Sequence, residues 1–271
     1  MSPRCIAIVA GGGLLPGLLA SAIRAAGQRC VVANLRGESL GLEPPLVDAS
    51  VSVAVGALGK TLKFLKQQGA DEVLLAGGVD KTRLFRTARP DLAALKLLKS
   101  LPESGDDRLL RALTKVFEDE GFPVGCPVEW LPEHRATEGR MSGRAPGEKI
   151  VADLAFGLRI ANAVGELEIG QTVVVRQGCV VAVEAVEGTD AMLGRAGPLA
   201  KRGAVVVKAI KPNQDHRLDM PTVGVETLKV MADNNLKWLG LEVGCLMLDK
   251  PALLAEAKRL GIGIAGLLGK R

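Results

Sequence analysis

Tyrosine is absent from the 271 residues, and aromatics make up only 3% of them. Single-stranded nucleic acid is usually held on aromatic stacking platforms, so a chain this poor in rings does not fit that role. Histidine is nearly absent too. His134 and His216 are the only two, which leaves little support for a His-activated nucleophile. The five cysteines, Cys5, Cys30, Cys126, Cys179 and Cys245, are odd in number, widely separated and set in apolar stretches. That spacing excludes a disulfide framework or a zinc knuckle and predicts small buried hydrophobes in a reducing cytosol.

Long apolar runs are missing as well. None approaches the roughly 18–20 residues that span a bilayer, and Cys5–Ala10 is too short for a signal-peptide core. The expectation is a cytosolic protein that, if its substrate is a lipid, reaches it from the cytosolic side. The formal charge of +5, from 35 basic and 30 acidic residues, is dispersed rather than gathered into a nucleic-acid arm. It describes a solvated surface, with an excess that suits phosphates or an anionic membrane face.

What is present is 48% hydrophobic residues against 24% charged, a globular balance long enough for two domains. In the first half, short apolar runs alternate with helical periodicity: strands at Cys5–Ala10, Cys30–Asn34, Val51–Val55, Glu72–Ala76 and Pro123–Val128, helices at Leu58–Gln68 and Asp106–Glu120. That βα rhythm predicts a parallel sheet covered on both faces, a Rossmann-like domain over residues 1–130. The polar, Pro- and Gly-bearing segment 131–149 reads as a linker or mobile loop. Residues 150–271 mix helices with strand pairs, including a hairpin around Gln177-Gly178 and a helix from Thr222 to Asn234, and predict an α+β domain.

Two glycine turns follow strands of the first half. Gly11, Gly12 and Gly13 lead into a helix, where backbone N–H groups and the helix N-terminus can meet phosphate oxygens; the same glycines can equally serve a tight turn. Pro16 stands where a dinucleotide fingerprint needs its third Gly, and the second strand ends on Asn34 rather than an acid, which disfavours a nicotinamide enzyme. Gly77 and Gly78 form the second turn, with Lys81 either reaching a phosphate or simply solvated.

In the second half, carboxylates concentrate beside apolar strands. AVEAVEGTD carries Glu184, Glu187, Thr189 and Asp190. VVVKAIKPNQDHRLDMPTVG carries Lys208, Lys211, Gln214, Asp215, Arg217 and Asp219. Oxygen ligands without His or Cys suit a hard cation, Mg²⁺ or Mn²⁺, and phosphoanhydride hydrolysis calls for that chemistry. Taken singly, Asp215 and Asp219 also read as turn or helix caps.

AGGGLLPG, AGGVDK, VVAVEAVEGTD and VVVKAIKPNQDHRLDMPTVG together resemble the UDP-2,3-diacylglucosamine pyrophosphatases of lipid A synthesis of the LpxI type. The resemblance implies a UDP-sugar lipid entering between the domains, UMP and 2,3-diacylglucosamine 1-phosphate (lipid X) as products, divalent-metal dependence and a homodimer. It implies Asp219 as the essential acid with Asp215, Glu187 and Asp190 as further metal ligands. Lys208, Lys211 and Gln214 would lie around the phosphates, and Gly12, Gly13, Leu14, Gly77 and Gly78 on the nucleotide side. A noncatalytic nucleotide-sugar sensor is the alternative, and it would bind without forming product.

Overall fold

The computed structural model describes residues 2–79, 91, 94, 106–200, 203–212, 215–218 and 220–269. It divides into two compact units, one of Met1–Leu131 with His216–Leu218, the other of Pro132–Asp215 with Asp219–Arg271.

Unit 1 is built on a parallel sheet of β1 (Cys5–Ala10), β2 (Arg29–Leu35), β3 (Ala49–Val53) and β4 (Glu72–Ala76) in the order β3-β2-β1-β4. Its central strands read as unbroken apolar runs because both faces are covered: Ile6, Ala7, Ile8, Val31, Val32 and Ala33 are fully buried. Around the sheet lie α1 (Leu15–Ala25), α2 (Leu58–Gln68) and α3 (Asp106–Asp119). Gly69 stops α2 in the left-handed conformation, at φ 65°.

Two expectations for this half are corrected. The third strand lies at Ala49–Val53, two residues earlier than expected. Pro123–Val128 is not a strand: Val124 makes an isolated bridge to Val73, and Pro127–Trp130 is a 3₁₀ turn. Pro123 and Pro127 lack the N–H that a ladder needs, so the apolar pattern does not become a strand.

Unit 2 carries a six-stranded mixed sheet. Its strands are β5 (Gly139–Ser142), β6 (Thr172–Arg176), β7 (Cys179–Val183), β8 (Val205–Lys208), β10 (Trp238–Glu242) and β12 (Gly263–Leu267), in the order β5-β12-β10-β8-β6-β7. The three central strands β12, β10 and β8 are parallel, and β5, β6 and β7 run antiparallel to their neighbours. Period-2 alternation divides the core. Val173, Val175, Val205 and Val207 pack with Leu154, Leu158 and Ala161 of α4 (Glu148–Glu166). Val174, Val206, Leu239 and Ile264 pack on the other side with α5 (Thr189–Ala200), α6 (Val225–Asp233) and α7 (Lys250–Leu260).

The Gln177-Gly178 hairpin is present, both residues at positive φ, 51° and 72°. The buried carboxylate of Asp153, on α4, accepts the N–H groups of Gln177 and Gly178 at 2.7 Å each. Residues 131–149 are more ordered than a linker: they hold a 3₁₀ turn at Pro132–His134 and edge strand β5. The helix expected from Thr222 begins instead at Val225 after Gly224. Thr222–Val223 is β9, paired in parallel with β11 (Leu246–Met247), as its β-branched pair prefers. Among the described residues no helix is long and apolar enough to cross a membrane.

Candidate functional site

In unit 1 the glycine turns at the carboxyl ends of β1 and β4 bond to each other. Gly11 N donates to Ala76 O at 2.8 Å, Gly12 N to Gly78 O at 2.7 Å, and Gly78 N to Gly12 O at 3.1 Å. This pairing explains the glycines directly. A Cβ on Gly11 would press on the carbonyls of Gly77 and Gly78, and one on Gly77 would meet the carbonyl of Gly12. Gly77 also sits at φ 89°. The N–H groups of Gly11, Gly12 and Gly78 are thus spent between the two turns rather than offered to a phosphate. Gly13, at φ 89° and exposed, and Leu14, the residue before α1, remain at a helix N-terminus that has no side-chain cap and no acid in its first turn. That end of the helix favours an anion.

Beside it lies a small cleft of about 70 Å³. Gly11, Gly13, Leu14 and Pro16 form one side, and Ser39, Leu40 and Leu42 the other. The second side hangs on Asn34, the last residues of β2 being followed by a loop that folds back on that amide. Lys81 lies outside the described residues.

In unit 2 the two segments singled out in the sequence meet around a buried lysine. Lys208, the last residue of β8, is only 6% exposed. Its Nζ donates to Thr189 Oγ1 at 3.0 Å, and Thr189 Oγ1 donates to Glu184 Oε1 at 2.7 Å. Thr172, the first residue of β6 and the register partner of Lys208, brings its hydroxyl to 3.5 Å from that of Thr189. The backbone N–H of Gln171 donates to Glu184 Oε2 at 3.4 Å. Two opposite charges are therefore buried together, joined through a hydroxyl. Burial on this scale is tolerated because each charge has a partner. The network sits at the carboxyl end of a parallel strand, where open α/β sheets place ligands.

The other expected residues are placed as follows. Glu187 is exposed and ion-paired with Arg195 at 2.6 Å, and that guanidinium holds its carboxyl below the ordinary value. Asp190, in the first turn of α5, accepts a hydrogen bond from Thr227 Oγ1 at 3.1 Å. Lys211 and Asp215 are half-buried, Lys211 lying beside Gly165 of α4. Gln214 and Asp219 lie outside the described residues. Among the described residues no group of three or more His, Cys, Asp or Glu is placed to hold a metal ion. Glu187 and Asp190 are engaged with Arg195 and Thr227 respectively.

Sequence reasoning missed Thr172 and Gln171, which nothing distinguishes from an ordinary strand start. It noted Asn34 only for what it is not. A polar amide closing an apolar strand was the available signal.

Comparison with known proteins covers nearly the whole chain. Residues 5–134 match the LpxI N-terminal domain and residues 137–265 the LpxI C-terminal domain. A relative from Caulobacter vibrioides, "UDP-2,3-diacylglucosamine pyrophosphatase LpxI", is 39% identical over 278 residues, covering 97% of this chain and 98% of that protein. Solved structures are similar only loosely. The biotin carboxylase domain of the Hydrogenobacter thermophilus 2-oxoglutarate carboxylase is 12% identical with a TM-score of 0.27, over 65% of this chain and 35% of that one. An N5-carboxyaminoimidazole ribonucleotide synthetase is 15% identical with a TM-score of 0.30, over 76% and 47%. Likeness at that level carries no argument.

Proposed function

The chain belongs to the LpxI family, and on that premise we propose that it hydrolyses the pyrophosphate of UDP-2,3-diacylglucosamine to UMP and lipid X. The observation that carries the reading is the 39% identity to a relative of that name over 97% of the chain. The nucleotide end is assigned to unit 1, at Gly13 and Leu14 beside the paired glycine turns. The anhydride chemistry is assigned to unit 2, at the Lys208 network.

In the proposed reaction a water oxygen bonds to the phosphorus attached to the sugar. The bond from that phosphorus to the bridging oxygen breaks, and the bridging oxygen leaves with UMP together with the electron pair. Lys208, fixed by Thr189 and Glu184, supplies positive charge where charge develops on the phosphoryl oxygens, an arrangement strengthened by low local polarity. Lys211 and Gln214 are the further phosphate contacts in this reading, and Asp219 with Asp215 orients the water. A divalent cation, Mg²⁺ or Mn²⁺, belongs to the proposal through the chemistry of the bond, with Asp219 and Asp215 as its candidate ligands. Action as a homodimer at the cytosolic face of the inner membrane completes it.

Turnover in ¹⁸O-labelled water tests the reading in one run. The label is expected in lipid X alone. Label in UMP would move the attack to the other phosphorus, and bound substrate without product would replace the enzyme by a nucleotide-sugar sensor. EDTA is expected to stop turnover, and Mg²⁺ to restore it.

A further inference from the structure

Domains that bind dinucleotides end their second strand on an acid, which reads the ribose hydroxyls. Here that place belongs to Asn34, and Asn34 is turned away from solvent. It is 6% exposed, and its amide is used on its own loop: Nδ2 donates to Leu42 O at 2.8 Å, while Oδ1 accepts from Ser39 Oγ at 2.6 Å and from Leu42 N at 3.0 Å. Ser39 Oγ in turn accepts Gly41 N at 3.1 Å. The Asn34 amide and the Ser39 hydroxyl thus tie the loop back on β2, and Leu40 faces outward.

The site of a ligand is displaced as well. In the order β3-β2-β1-β4 the connections reverse between β1 and β4, the crevice where such sheets usually bind. The Gly12–Gly78 bridge closes that crevice. The open space lies on the other side of the glycine turn, toward the loop that Asn34 holds. Leu14 and Leu40 line this cleft and are 54% and 74% exposed. Single exposed leucines are ordinary; two lining one notch at a helix N-terminus are surfaces for something flat to lie between. At about 70 Å³ the notch is roughly half the size of a cavity that holds a whole benzene ring, about 150 Å³, so it takes a ring edge rather than a complete nucleoside.

We infer that Asn34 is a positioning residue for the nucleotide. It sets residues 36–42 as the second wall of a cleft in which Leu14 and Leu40 grip the pyrimidine base of the UDP group. The inference rests on the function proposed above and names how the nucleotide end is held without a ribose-reading acid.

The test uses the full chain and UMP as probe. Leu40→Ala alters only an exposed side chain and is expected to weaken UMP binding about tenfold, the scale of one lost apolar contact. Asn34→Ala is expected to raise KM for the UDP-sugar by a similar factor while kcat stays within about twofold. A general loss of structure would lower both activity and the thermal midpoint and would not produce that split. Wild-type UMP affinity in a folded Leu40→Ala variant would overturn the inference alone. A wild-type chain that binds no UMP would overturn the proposed function with it.

Discussion

Lys208 and Glu184 never touch, yet they are bound into one unit by the hydroxyl of Thr189, 3.0 Å from the lysine Nζ and 2.7 Å from the glutamate Oε1. Each charge is more than nine-tenths buried. The hydroxyl lets both keep a hydrogen bond.

Thr189→Val keeps the shape of the side chain and removes that link. Leaving two buried charged groups short of a partner is expected to cost about 1–3 kcal/mol of stability, read by urea unfolding. Turnover should fall about 10–100-fold. Thr189→Ser should restore most of both. Equal stability of the valine and wild-type chains would show that water replaces the hydroxyl without loss.

The paired glycine turns separate two reasons for keeping glycine. At Gly77 a side chain would meet both a positive φ and the Gly12 carbonyl, whereas at Gly27, φ 72°, nothing lies within 4 Å of an added Cβ. Gly27→Ala is expected to cost about 1 kcal/mol, and Gly77→Ala about 2 kcal/mol or more. Thermal unfolding of the two variants checks the order. A reversed order would mean that the two turns do not hold each other.

How far the sequence could be read depended on whether a feature was continuous. The apolar runs at Cys5–Ala10 and Glu72–Ala76 became strands at those bounds, the first central and the second last in the sheet order, because a short apolar run closed by glycines leaves little other pattern. Edge strand β5 escaped, since GRMS carries no periodicity and pairs on one side only. β9 escaped because two residues cannot show a period at all. In the candidate site, Lys208 and Thr189 stood in segments already singled out, but Thr172 joins them only through register across β6 and β8. Pairing of that kind is set by the whole sheet and is not written locally.

Burial governs the thiols. It pushes Cys30 up to about 12 and Cys245 up to about 12, from an ordinary 9.0, while Cys179 is exposed. Because the folded-state values are raised, the unfolded chain binds fewer protons above pH 9 than the folded one. The stability these thiols contribute is therefore present below about pH 9 and is lost as pH rises toward 12. Unfolding midpoints across pH 8–11 should fall, and Cys245→Ala should fall less steeply. Alkylation at pH 8 should mark Cys179 first, and early labelling of Cys245 would contradict its burial.

The most direct test of the account is the turnover of UDP-2,3-diacylglucosamine by Lys208→Met, followed as UMP and lipid X released in equal amounts. Removing the lysine alone leaves Glu184 buried without its counter-charge and is expected to cost about 3–5 kcal/mol of stability, so the rate is read on protein shown to be folded, where kcat should drop on the order of 10²–10³-fold. A folded variant that works within about twofold of the wild-type rate would contradict the assignment of the anhydride chemistry to this lysine.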